Sequence, residues 1–371
     1  MTHCFAFKYE GDVFLYADAA FTTKQHQELP STITSFGEAN VQKKDEVIFE
    51  AITKIFRISD CCAVAFAGCT ERARAIIDIL RSSNKYNSDL EQNFEVVNNT
   101  IDSTGNYVEL LIADCSRPTA QIIQWNTSAR KLISTQEYAS IGSLPNSHDH
   151  QIKRFTDRLV NLKELSKDSM LSAMAATFQS YGLRNYLMEN NVGGSVLGAK
   201  VSTDNVSWLP DTTYLIFDAD GKPNNWVSIV YRDGGLVTHS SYSLLTTYFI
   251  SDSEISNIEE WRRIWNAKVS QQIEQFQSIN WVFLNSFNGL IVIVEAKYPI
   301  SKTTVSEVSV IEDKLKIEIN GDLLKILKEE KSDFIMVCND RLSKDKFNDY
   351  RFESWVQKQK QIMMNNSFKD Q

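Results

Sequence analysis

Apolar and polar positions alternate with a period of two from the start of the chain. CFAFKYE and DVFLYAD, parted only by Gly11, predict a β-hairpin with a tight turn. The next segment, residues 21–47, holds Pro30, Gly37 and many Thr, Ser, Lys and Gln, and it reads as loop. KIFRI and CCAVAFAG then predict a second strand pair across Ser59-Asp60. In TERARAIIDILRSS the apolar positions 73, 76, 77, 79 and 80 recur at helical spacing, so one face of a helix is buried. YVELLIAD and AQIIQW return to strand, and EYASIGS leads into a helical region over 147–187, broken near Leu162–Lys167. After Gly193-Gly194 come the strand-like runs SVLGAKVS, TTYLIFD, NWVSIVYR and GLVTHSSYS.

Strands, helices, strands, helices, strands is not the alternation of a doubly wound sheet. The order suits two stacked, mainly antiparallel sheets with helices on the outer faces. From residue 254 the character changes. SEISNIEEWRRIWNAKVSQQIEQFQ predicts a helix with Ile258, Trp261, Ile264, Trp265, Val269 and Ile273 on one side. Two hairpins, INWVFLNSF/GLIVIVEA and SEVSVIE/KLKIEIN, follow, then the helix LLKILKEE, the strand DFIMVCND and a polar tail. The pattern divides into a main domain at 1–253 and a smaller α+β extension at 254–371.

Composition narrows the function. The 371 residues carry a net charge of −8 with no long Lys/Arg cluster, which argues against a nucleic-acid surface. No run approaches the roughly 20 apolar residues that span a bilayer. Lys8, Glu10, Asp12 and Asp18 interrupt the first twenty residues, which therefore do not read as a secretory signal. The six cysteines, at 4, 61, 62, 69, 115 and 338, match no zinc spacing and read as reduced thiols of a cytoplasmic protein. His148 and His150 in HDH lack a third ligand nearby and read as a polar helix entry, and Trp261/Trp265 as packing. Neither metal nor organic cofactor is expected.

The candidate chemistry begins at Thr2. Its small side chain permits removal of Met1, and a terminal Thr carries nucleophile and base in one residue, because an α-amino group has a pKa of about 8. Such a residue needs a cation beside its amine, an anion to hold that cation, and a backbone N–H for an oxyanion. Lys54, Asp18 and Gly68 are the candidates: Asp18 ends the second strand, Lys54 precedes IFRI, and Gly68 closes AVAFA just before a helix.

MTHCFAFKYEGDVFLYAD, KIFRISDCCAVAFAGCTERARAIIDIL, EYASIGS and NNVGGSV together resemble the proteasome β-subunit family of N-terminal nucleophile hydrolases, in particular its bacterial HslV and ancestral-beta-subunit (Anbu) branches. The resemblance covers about residues 2–240. It implies a four-layer αββα sandwich, here with a C-terminal α+β extension. It also implies that Thr2 is nucleophile and base, that Lys54 lowers the amine pKa, that Asp18 orients Lys54 and that Gly68 supplies the oxyanion N–H. Ser143 would relay a proton near the Thr amine, and Phe66 and Cys69 would line the substrate pocket. Three departures stand out. Asp18 and Lys54 are separated by an insertion at about 21–50, IGSLPN replaces a glycine-rich continuation, and Glu189 and Val192 occupy places where the family often has Asp and Ser.

The function expected is a threonine-type peptidase acting on polypeptide through an acyl-enzyme, assembled as a homo-oligomeric ring or helix and served by an ATPase unfoldase. Two alternatives stand beside it: an N-terminal nucleophile amidase on small amides, and a non-catalytic proteasome-like scaffold or adaptor.

Overall fold

A computed structural model describes residues 2–24, 33–43, 46–86, 89–102, 104–163, 165–217, 223–242, 244–248, 278–285, 290–297, 302–311 and 314–319. The expected Trp261/Trp265 helix, the helix LLKILKEE, the strand DFIMVCND and Cys338 lie outside these residues.

The opening hairpin is β1 (His3–Tyr9) and β2 (Asp12–Asp18), paired antiparallel from Cys4↔Ala17 to Tyr9↔Asp12. Part of the segment read as loop belongs instead to a three-stranded sheet of β3 (Ala20–Lys24), β4 (Val41–Lys43) and β5 (Glu46–Glu50), with β5 central. Next come β6 (Ile55–Ser59), β7 (Cys62–Gly68), α1 (Thr70–Asn84) and α2 (Leu90–Thr100). β8 (Val108–Asp114), β9 (Gln121–Asn126), β10 (Ile133–Thr135) and β11 (Tyr138–Gly142) lead into α3 (Asn146–Leu162) and α4 (Lys167–Arg184). A 3₁₀ turn (Leu187–Asn190) precedes β12 (Val196–Val201) and β13 (Val206–Trp208). The remaining strands are β14 (Thr212–Phe217), β15 (Pro223–Arg232), β16 (Gly235–Ser240), β17 (Leu244–Tyr248), β18 (Ser278–Asn285), β19 (Leu290–Lys297), β20 (Lys302–Ile311) and β21 (Lys314–Ile319).

Two five-stranded sheets, ordered β11-β1-β2-β12-β13 and β10-β9-β8-β7-β6, pack on each other. Alternation in β7 shows why the second sheet is apolar on both faces. Ala63, Ala65 and Ala67 point into the core shared with β1 and β2, while Cys62, Val64 and Phe66 point to the core under α1 and α2. Small residues on the inner face let the sheets approach, while the aromatic stack Phe5–Tyr16–Phe7–Phe14 lies on the other face of the first sheet, where Phe5 meets Phe178 and Tyr16 OH donates to Leu171 O of α4.

The four-layer αββα sandwich with an appended extension is not what the chain forms. The described residues are mostly strand, in four antiparallel or mixed sheets with four α-helices. The reason is visible in α4. Every residue from Ser169 to Tyr181 is buried, so this helix has no solvent face and is not an outer layer. It packs on β12 and also on β18 and β19, strands of an eight-stranded sheet ordered β17-β16-β15-β14-β18-β19-β20-β21. In that sheet β14 runs parallel to β18, from Thr212↔Asn280 to Ile216↔Leu284, so strands from both sides of position 253 share one sheet. Tyr214, Ile216, Val282, Leu284, Ile291 and Ile293 join the core of the opening hairpin. No described helix is long and apolar enough to cross a membrane.

Candidate functional site

The first strand begins against a buried ion pair. Asp18 and Lys54 are each 1% exposed, and Lys54 Nζ donates to Asp18 Oδ1 at 2.8 Å. The backbone N–H of His3 donates to the same oxygen at 2.9 Å, so the ammonium and the peptide that follows Thr2 share one acceptor. Asp18 Oδ2 accepts from Ala20 N at 3.0 Å and Gly193 N at 3.3 Å. With four donors around it the carboxylate is fixed, and through it the Lys54 side chain.

Thr2 is 5% exposed. Its carbonyl accepts from Ser143 N at 2.9 Å, the bond that continues the β1–β11 ladder past His3↔Gly142. Close approach here depends on Gly142. At φ +107° a side chain is strained, and a Cβ would lie 1.8 Å from the Thr2 carbonyl oxygen. The Ser143 side chain itself is exposed.

Two links bring the end of β7 to the same place. Cys4 Sγ donates to Phe66 O at 3.3 Å, and Glu109 of β8 accepts from Gly142 N at 3.0 Å across the sheet interface. Glu109 also accepts from Tyr107 OH at 2.9 Å. Gly68, opposite Val108, has φ +106°, and a Cβ there would meet Tyr107 O at 2.3 Å. Thr2, Asp18, Lys54, Gly68 and the Ser143 backbone are thus gathered at one end of the stacked sheets. The Phe66 ring is not. It stacks on Phe56 in the core beneath α1, and only its carbonyl faces β1. Cys69 is half-buried at the start of α1, where Asn106 Nδ2 approaches its sulfur at 3.7 Å.

Sequence reading missed four members of this region. His3 is buried with its pKa pushed down to about 4. Burial is the main cause, Lys54 adds to it, and Asp149 and Asp18 oppose it. Its Nε2 makes no hydrogen bond among the described residues, and Asp149 Oδ1 stands at 3.7 Å. Glu109 and Gly142 carry no local signal beyond a Gly after a strand. Glu50, inside the inserted segment, accepts from Ser35 N, Ser35 Oγ and Ser195 N at 2.7, 2.6 and 2.8 Å, locking that segment onto the strand after Gly193-Gly194.

Burial pushes the Cys4, Cys62 and Cys115 thiols up, which makes them poor nucleophiles. His148 Nδ1 pairs with Tyr181 OH at 2.8 Å, and among the described residues no group of three or more His, Cys, Asp or Glu is arranged to hold a metal ion. A terminal amine on Thr2 would lie near a fixed, buried ammonium, and like-charge repulsion lowers the pKa of such an amine, favouring the form able to accept a proton. No protein-family model matches the chain, and no curated protein sequence matches it.

Proposed function

We propose that the protein is a threonine-type hydrolase of peptide bonds whose nucleophile is Thr2 after hydrolytic removal of Met1. The observation that carries this reading is the buried Lys54–Asp18 pair, whose shared oxygen also accepts from the peptide N–H next to Thr2. A buried ion pair is weak evidence for stability, since apolar residues of similar size serve a core at least as well. One placed against residue 2 has a chemical use.

In the proposed reaction the Thr2 Oγ attacks the substrate carbonyl while its proton passes to the Thr2 amine. The proton then goes to the leaving amine as the C–N bond breaks, which leaves an ester on Oγ. Water, deprotonated by the same amine, attacks the ester and releases the acid, and Oγ regains its proton. The Gly68 N–H at the end of β7 is the candidate oxyanion donor, since the neighbouring Cys69 N–H already donates to Tyr107 O at 3.0 Å.

The test is the intact mass of the purified protein before and after a peptide epoxyketone, which reacts with an N-terminal Thr through both its amine and its hydroxyl. Loss of Met1, one adduct, and no adduct in Thr2→Ala are expected. Peptide hydrolysis should fall to background in the same variant. Retained Met1 with no adduct would overturn the reading and leave a non-catalytic binding protein, and unchanged hydrolysis in Thr2→Ala would overturn Thr2 as the nucleophile.

A further inference from the structure

The inserted segment closes a cavity that the Thr2 region does not use. Its volume is about 500 Å³, inside the range of roughly 300–1,000 Å³ typical of small-molecule sites. Phe36 and Glu38 come from the insertion, Arg184 from the end of α4, Tyr186 and Met188 from the 3₁₀ turn and its edge, and Phe217 from the end of β14. Three aromatic rings and a thioether therefore line the cavity together with the Glu38 carboxyl group.

The carboxyl is held but not saturated. Glu38 accepts from Gly194 N at 2.8 Å and Thr34 Oγ1 at 3.2 Å, both at Oε2, and Oε1 accepts nothing among the described residues. Tyr186 is 66% exposed at φ +51°, a backbone region where a bulky residue is strained, and it lines the same cavity. Glu189 and Arg184 are the other charged groups of the wall. A carboxylate among aromatic faces is the combination that recognises an ammonium or guanidinium attached to apolar groups.

We propose that this cavity binds an organic monocation with an apolar body, its charged head at Glu38 and its apolar part among Phe36, Tyr186, Met188 and Phe217. The electrostatics agree with that occupant. Burial raises the Glu38 carboxyl to about 7, with repulsion from Glu50 and Asp18 adding to the rise and the Gly194 N–H and Thr34 hydroxyl opposing it. A cation at Oε1 supplies the missing countercharge. Its binding displaces a proton at neutral pH, so affinity falls as the pH drops below 7.

The experiment is calorimetric titration of the full chain with phenethylamine and with its neutral isostere phenethyl alcohol, at pH 8 and pH 6. Saturable amine binding at least about tenfold tighter than the alcohol is expected at pH 8, falling about tenfold at pH 6 as Glu38 protonates. Glu38→Gln keeps the acceptor for Gly194 N and should erase the difference between amine and alcohol. Tyr186→Leu keeps bulk without the π face and should weaken amine binding severalfold. Equal affinity for the two probes, amine binding unchanged in Glu38→Gln, or no saturable binding to the wild-type chain would each overturn the proposal. Should Glu38→Gln fail to fold, the pH dependence and the Tyr186→Leu result decide. None of these readouts involves Thr2, so the outcome is independent of the hydrolase reading.

Discussion

His3, which is buried, and Glu38, which is half-buried, are two titratable groups whose effects on stability have opposite signs. His3 titrates near 4 in the folded chain against an ordinary value of 6.5, so the unfolded chain holds more protons between those values. Its contribution is complete above 6.5 and is lost as pH falls through 4. Glu38 titrates near 7 against 4.5, so here the folded chain holds more protons, and the contribution present below 4.5 is lost as pH rises through 7. Each amounts to about 3 kcal/mol at most, since one pKa unit is about 1.4 kcal/mol. Between pH 4.5 and 6.5 the two slopes offset one another in the native protein. Urea unfolding of single variants from pH 5 to pH 8 separates them. Glu38→Gln should uncover a gain in stability from about pH 5 to 6.5 that the wild type lacks and exceed the wild type at pH 8 by about 1–3 kcal/mol. His3→Gln should lose stability over the same rise in pH. Profiles parallel to the wild type would show that neither group is perturbed by its surroundings. The same residue-level view explains why Thr2→Ala is the cleaner probe of chemistry. Removing Lys54 leaves Asp18 buried and unbalanced at a cost of about 3–5 kcal/mol, so lost activity in that variant conflates two causes.

Among the elements, those with a strong local period were legible and those defined by distant pairing were not. CFAFKYE/DVFLYAD became β1 and β2, and TERARAIIDILRSS became α1, because one-sided burial imposes its period on the residues. The three-stranded sheet of the insertion was hidden in a segment rich in Thr, Lys and Gln, where β3, β4 and β5 are held by pairing rather than by alternation. Of the site, Thr2, Asp18, Lys54 and Gly68 were singled out by residue type, by their places at strand ends and by the family resemblance. Their support from Gly142 arises when β11 pairs with β1 and that from Glu109 only when the two sheets stack, and no periodicity within one strand records either. The end of β11 tests how tightly that support is built. Gly142→Ala adds a strained φ and sets a methyl against the Thr2 carbonyl, and the backbone on both strands must move to relieve it. Amide exchange at Ser143 N, whose bond to Thr2 O measures 2.9 Å, should quicken by at least an order of magnitude, while Tyr9 at the other end of β1 keeps its protection. Unchanged exchange at Ser143 would mean that β11 does not hold residue 2 in place.

At the scale of the whole molecule, the position of α4 decides how many folding units the described chain contains. An outer helix offers one apolar stripe, but α4 is buried along Ser169–Tyr181, with β12 against part of its surface and β18 and β19 against another. The parallel pairing of β14 with β18 adds hydrogen bonds to that contact, and Val282, Leu284, Ile291 and Ile293 complete a core that begins at Cys4. A chain cut at 253 would keep the opening hairpin and the catalytic candidates yet lose β18 and β19. It would then expose one flank of α4 together with the open edge of β14, an invitation to pair with another chain. Such a truncation should show no cooperative unfolding transition, bind a hydrophobic dye and aggregate. Within the intact chain, Leu284→Ala should cost about 2–5 kcal/mol, as a fully buried leucine does. It should shift a single transition followed equally by fluorescence and circular dichroism. A stable, monomeric 1–253 fragment, or a Leu284→Ala variant that moves only one of two separate transitions, would divide the molecule where the change in sequence pattern first suggested. If the single transition holds instead, the strands after residue 277 are a structural requirement for the Thr2 region, because they wall the helix that backs the sheet on which Thr2 and Asp18 are carried.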